Sequence, residues 1–142
     1  MQNNEAWFKD MKEDIQKLLN QKGVIWRGRI NQMDLYREWF SSNIWLYQTD
    51  WPETSCITCM DAQATGVVPV TNKIWALTDN IFHGYVFDGT PQKDERCKLL
   101  QIDKVCELIE KPNIRWRKDM MIDARDSFDW NNVVRQFVGW CQ

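Results

Sequence analysis

Long apolar runs, a charge excess of either sign and histidine are what this sequence has least of. No stretch approaches the ~18 consecutive apolar residues of a membrane span. The start Met1-Gln2-Asn3-Asn4-Glu5 is too polar for a signal peptide, so a cytoplasmic protein without a transmembrane segment is expected. With 18 basic against 20 acidic residues and a net charge of -2, no basic field draws nucleic acid and no acidic tail forces disorder. The one histidine, His83, precedes Gly84 and reads as a solvated turn residue, although an imidazole can exchange a proton near neutral pH. Five cysteines, an odd number without a framework spacing, fit reduced thiols. Cys56 and Cys59 have metal-ligand spacing, but no second Cys pair or His cluster completes a tetrahedral site. There is no internal repeat or low-complexity run, and Asp88 to Arg96 is the only linker-like stretch.

Tryptophan is what the chain has in abundance. Nine are scattered along it, most at apolar positions of helices or strands, where indoles are expected to fill the core. Trp51, beside Pro52 and Glu53 on a loop, is the exception: an exposed indole there can stack on a sugar face or a partner domain.

At 142 residues the chain fits one domain with an adequate core. Phe8, Met11, Ile15, Leu18 and Leu19 mark a surface helix closed by Gly23. Val24 to Trp26 reads as a short strand, and Asn31 can cap a second helix with Asp34 in its first turn and Leu35, Tyr36, Trp39 and Phe40 in i,i+4 pairs. Strands follow at Ile44 to Tyr47, Val67 to Thr71 and Gly84 to Phe87, with Pro69 confined to a first paired position or an edge. After Gly89 the chain is helical. Leu99, Ile102, Cys106 and Ile109 form one stripe, and Pro112 stops it. Asn113 can cap a helix carrying Ile114, Trp116, Met120 and Ala124, and Asp129 a terminal one with Val133, Val134, Phe137 and Trp140. This alternation indicates an α/β fold: a partial doubly wound, Rossmann-like parallel sheet of about four strands, flanking helices and a helical C-terminus.

Function is most legible between Pro52 and Gly66. Glu53 follows the Ile44 strand and a loop, and Asp61 lies eight residues on, along a helix that Gly66 ends. The unpaired N–H groups of that helix's first turn suit a phosphate or diphosphate, and a neighbouring carboxylate can hold sugar hydroxyls.

With Val24-Ile25-Trp26-Arg27-Gly28, Asp34-Leu35-Tyr36, Ile44 to Tyr47, Pro52-Glu53, Asp61-Ala62, Gly66, Pro69-Val70-Thr71 and Gly84 to Phe87 in this order, the chain resembles the C-terminal, nucleotide-sugar-binding half of a GT-B glycosyltransferase of the large retaining E-x7-E family. Ser127-Phe128-Asp129-Trp130 is similar to the start of that family's last helix. The resemblance spans residues 24–88 as an α/β core and 94–142 as C-terminal helices.

It implies that amides around Cys56, Ile57 and Thr58 hold the distal phosphate, that Thr54 and Ser55 belong to the same donor-binding loop and that Asp61 holds the ribose. Glu53 is then the catalytic residue, contacting the transferred sugar, and Gly28, Arg29 and Ile30 contact the base. No metal or further cofactor is implied. The acceptor, a glycan, lipid or small molecule, would meet the donor against an N-terminal domain or partner chain. Three departures stand out. Asp61 replaces the usual Glu and shortens the reach by about 1.5 Å. Thr54, Ser55 and Cys56 stand where Gly, an aromatic residue and Gly are commoner. The family's first strands, with their Arg and Lys for the diphosphate, have no counterpart upstream of Val24.

These departures leave a rival: a non-catalytic protein- or glycan-interaction module derived from the same fold. A flavodoxin-like or response-regulator-like domain would need a phosphate loop or acidic cluster after the first strand, and Val24 to Asn31 shows neither.

Overall fold

The computed structural model describes residues 3–112 and 114–141, divided into two compact units, Met1–Asp34 and Leu35–Gln142. In the first, helix α1 (Asn3–Leu19) carries its apolar residues at helical spacing, with Trp7 and Phe8 in edge contact at 4.9 Å. Gly23, at φ 92°, lets the chain leave in a left-handed turn that a Cβ would resist. Helix α2 (Gln32–Ser41) begins as the sequence indicates. Asn31 Oδ1 accepts the Asp34 N–H at 2.9 Å, and its Nδ2 donates to the Asp34 carboxylate at 2.7 Å; the cap satisfies an amide that no preceding turn can reach. The boundary between the units falls within α2.

Val24 to Trp26 is not the expected first strand. Residues 24–31 are irregular, and Val24, Ile25 and Trp26 are exposed. A β-propensity is a preference for packing on a pleated neighbour, and these three residues pair with no strand.

The second unit holds a parallel sheet of three strands rather than about four, β1 (Ile44–Tyr47), β2 (Val68–Asn72) and β3 (Tyr85–Phe87), in the order β1-β2-β3. Helices α3 (Ile57–Thr65), α4 (Ala76–Asn80), α5 (Glu95–Glu110), α6 (Arg117–Phe128) and α7 (Trp130–Trp140) complete it. The register Ile44 to Val68 and Val70 to Tyr85 sorts side chains by period two. One face offers Ile44, Val68, Val70, Tyr85 and Phe87 to Val105 and Leu108 of α5 and Met120 of α6. The other offers Trp45 to Trp39, Ala62 and Val67, and Trp45 and Tyr47 to Cys56, Cys59 and Leu77. Every β2 residue is buried, as a central parallel strand requires, and each fully buried Val or Leu side chain there stabilises the fold by about 1.5–3 kcal/mol.

Pro69 lies in β2, where it pairs with Trp45. Val68 N–H points to the β1 side, bonding Asn43 C=O, so Pro69 turns its donorless nitrogen toward β3, one residue before that ladder starts at Val70 and Tyr85. No ladder bond is lost there. Gly84 makes the approach possible: a Cβ on it would stand 3.0 Å from Pro69 O.

On α5 the stripe Leu99, Ile102, Cys106 and Ile109 faces outward, and Cys97, Gln101 and Leu108 are the buried residues. A buried glutamine on the inner face hides the true periodicity. Asn113 lies outside the described residues. Helix α6 starts at Arg117 after Trp116, later than the cap position expected, and buries Met120 and Ala124. Asp129 does cap α7, accepting the Asn131 N–H at 2.8 Å. Its apolar residues Val133, Val134, Phe137 and Trp140 nevertheless stay exposed.

Tryptophan is used differently from the core-filling expectation. Trp39 is buried and Trp45 and Trp116 are half-buried, but Trp7, Trp26, Trp51, Trp75, Trp130 and Trp140 are exposed. Two of the exposed indoles end α7, and Trp26 sits on the irregular segment, so helical spacing did not mark burial. His83 is also more engaged than a solvated turn residue: Nε2 lies 2.7 Å from Asp123 Oδ2, and the ring stacks on Trp116.

Candidate functional site

The candidate site lies at the C-terminal ends of β1 and β2, where open parallel sheets place their ligands. The connection from β1 to α3 is an irregular loop, residues 48–56, and three neighbours fix it. Asn72, the last residue of β2 and fully buried, accepts the Thr49 N–H at 3.0 Å and donates to Thr49 C=O at 2.8 Å. Thr49 Oγ1 accepts the Trp51 N–H at 2.9 Å. Glu53 C=O accepts the Ala76 N–H at 3.1 Å, and Ser55 C=O accepts from Asn80 Nδ2. A loop whose backbone polar groups are paired in this way holds its side chains in place.

At its end, Cys56 takes φ 49° and ψ 63° and leads directly into α3 without a side-chain cap. The left-handed region costs a non-glycine residue about 1–3 kcal/mol. The absence of a cap leaves the first amides of α3, at Ile57 and Thr58, without an intrahelical acceptor. Together with Trp45, Tyr47, Glu53, Thr54 and Ser55 these residues line an open cleft of about 350 Å³. Trp45 and Tyr47 stack at 4.9 Å with 12° between their planes, forming one wall. The Tyr47 hydroxyl donates to Glu53 Oε1 at 2.6 Å, which fixes the carboxylate at the rim.

The cleft therefore offers a helix N-terminus to an anion, a positioned carboxylate to hydroxyl donors and an aromatic wall to a ring. The bond to Glu53 and, secondarily, burial push the Tyr47 phenol up, so it stays a donor at neutral pH. Burial pushes the Cys56 thiol up, and burial with Cys56 nearby pushes Cys59 to about 12; neither supplies a thiolate nucleophile.

Six of the residues expected at the site, Glu53, Thr54, Ser55, Cys56, Ile57 and Thr58, line this one cleft. Asp61 lies one turn along α3 on the side of Ile57. It is half-buried, its carboxylate makes no hydrogen bond among the described residues, and burial holds its pKa above the ordinary value. Gly28, Arg29 and Ile30 belong to the first unit, on its irregular segment, with Gly28 at φ 61°. The cleft is lined by the second unit alone.

Sequence reading missed the wall residues Trp45 and Tyr47. Their signal was period two: both leave β1 on the face that Cys56 packs against. It also missed Gln63, fully buried on α3, whose Nε2 donates to Asn80 C=O at 2.7 Å and whose Oε1 accepts the Phe82 N–H at 3.0 Å.

Among the described residues no group of three or more His, Cys, Asp or Glu is placed to hold a metal ion, and no helix is long and apolar enough to cross a membrane. No protein-family model matches the chain, and no curated protein matches it in sequence.

Proposed function

We propose that this chain is the donor-binding half of a cytoplasmic, retaining GT-B glycosyltransferase, which takes a sugar from a nucleotide-diphosphate sugar and passes it to a glycan, lipid or small-molecule acceptor. In this reading the three parallel strands form part of a doubly wound, Rossmann-like domain. The observation that carries it is the juxtaposition of Glu53, the left-handed Cys56 and the open first turn of α3 around one cleft. Cys56 stands where the resembling family commonly has a glycine, and it holds a backbone angle that glycine adopts freely. That conformation lets the chain turn directly into α3, whose first residues Ile57 and Thr58 line the cleft.

The distal phosphate sits on the Ile57 and Thr58 amides, the transferred sugar against Glu53 and the ribose hydroxyls on Asp61. As the glycosidic bond breaks, charge accumulates on the leaving diphosphate. The helix end, already oriented, stabilises it without reorganisation. The chain supplies the donor side, and turnover needs a second half against which donor and acceptor meet.

A calorimetric and thermal-shift titration against uridine-, guanosine- and adenosine-diphosphate sugars tests the reading. One nucleotide class should stabilise the chain, and Glu53→Ala and Asp61→Ala should each weaken that binding while leaving the fold intact. Equal affinity in both variants would overturn the assignment. A second reading, a non-catalytic interaction module on the same scaffold, draws on α7, whose apolar residues face solvent; a folded chain that ignores every nucleotide would favour it.

A further inference from the structure

The Glu53–Thr54 segment has a second open cleft on it, of about 410 Å³, which Trp75, Ala76, Asp79 and Asn80 complete. Its floor is unusual. Trp75 has φ 43° and ψ -132°, and Leu77 N–H closes the turn onto Ile74 C=O at 3.1 Å. That is the first central position of a type II′ turn, which glycine normally fills. Tryptophan stands there instead, with 66% of its surface in water. The Ala76 N–H bonds Glu53 C=O, so the indole is tied to the loop of the first cleft. Asp79 and Asn80 line the cleft with it; the Asn80 Nδ2 is taken by Ser55 C=O, and its oxygen remains free to accept.

A flat apolar ring bordered by hydrogen-bond acceptors complements a sugar, which presents C–H groups on a ring face and O–H donors around its rim. We propose that this cleft is a subsite for a pyranose ring, stacked on Trp75 with its hydroxyls on Asp79 and Asn80. Glu53 and Thr54 are common to both clefts, so a ring held here faces the residue assigned to the transferred sugar and is the acceptor's. Its assignment to the acceptor rests on the function proposed for the first cleft; the sugar subsite itself stands on Trp75, Asp79 and Asn80.

The test uses the full chain labelled with nitrogen-15 in its indoles, titrated with methyl glucosides, mannosides and galactosides and with short oligosaccharides. The Trp75 Nε1–H resonance, assigned by its loss in Trp75→Ala, should shift saturably with at least one glycoside. Asp79→Asn should weaken that binding about fivefold, because the amide oxygen still accepts a hydroxyl but without the charge that strengthens the bond. Trp75→Gly should abolish calorimetric glycoside binding while melting no lower than the parent, because glycine relaxes the turn. The proposal is overturned if every glycoside leaves Trp75 unmoved, if Trp75→Gly binds as before, or if quaternary ammonium and guanidinium compounds move Trp75 and glycosides do not. The same samples are titrated with nucleotide sugars. Nucleotide binding with a silent Trp75 sinks the subsite alone, and a responsive Trp75 without nucleotide binding sinks the donor reading alone.

Discussion

The Tyr47 hydroxyl reaches from the end of β1 to the carboxylate of Glu53, 2.6 Å from oxygen to oxygen, so the strand itself fixes the acid at the cleft mouth. Tyr47→Phe should cost about 0.5–1.5 kcal/mol in urea unfolding, the net worth of one such bond, and should weaken nucleotide-sugar binding by freeing Glu53. The bond also predicts an alkaline limb. A phenol held above its ordinary value contributes stability that is complete below about pH 10 and lost as pH rises through the raised value. Stability curves of Tyr47→Phe should lack that limb.

Asp61 predicts a pH dependence of the same sign at the acid end of the scale. Burial raises its pKa, so its contribution is complete below the ordinary carboxylate value of about 3.9 and is lost as pH climbs through the raised one. Asp61→Asn should therefore match the parent near pH 3 and melt higher at pH 7. A variant that is less stable at neutral pH would show that the carboxylate is partnered after all. Ligand hydroxyls donating to Asp61 favour its charged form, so donor affinity should fall as the solution is acidified through that pKa.

Gln63→Leu should be among the most damaging single substitutions in the second unit. It leaves the part-buried Asn80 C=O and Phe82 N–H without their partner, which costs up to about 1–3 kcal/mol for each to the extent that water cannot replace it. Because Asn80 also holds Ser55 C=O, the loop of the first cleft should loosen. Hydrogen exchange at residues 53–58 measures this, and unchanged protection there would refute the linkage.

Gly66→Ala combines two penalties. The residue sits at φ 86°, and a Cβ would come 2.9 Å from Met121 Sδ. The left-handed cap costs about 1 kcal/mol or more, while the thioether is flexible enough to move aside. Chemical denaturation should show a loss of about 1–2 kcal/mol with nucleotide affinity unchanged, since the cap is at the far end of α3 from the cleft.

What could be read from the chain was what local rules govern. Asn31 and Asp129 capped as their side chains dictate, Gly66 ended α3, and β1, β2 and β3 followed from apolar runs bounded by turns. The same logic gathered Glu53 and Thr54 to Thr58 at one helix start. What it misplaced depends on neighbours. Val24 to Trp26 has strand residues but no partner strand, and Gln101 faces inward on α5 where Leu99 and Ile102 face out. Trp75 adopts a glycine-type turn that no propensity announces. Tyr47 became part of the site through a bond across six residues, which composition does not encode.

The outward tryptophans change how the molecule looks under ultraviolet light. Trp7, Trp26, Trp51, Trp75, Trp130 and Trp140 are in water in the folded chain, which leaves Trp39, Trp45 and Trp116 as the indoles whose surroundings change greatly on melting. Intrinsic emission is therefore already close to that of free indole before any denaturant is added. A ring settling over Trp75, the exposed indole that lines the second cleft, would shield an emitter from solvent, a change in native fluorescence distinct from the loss of the fold.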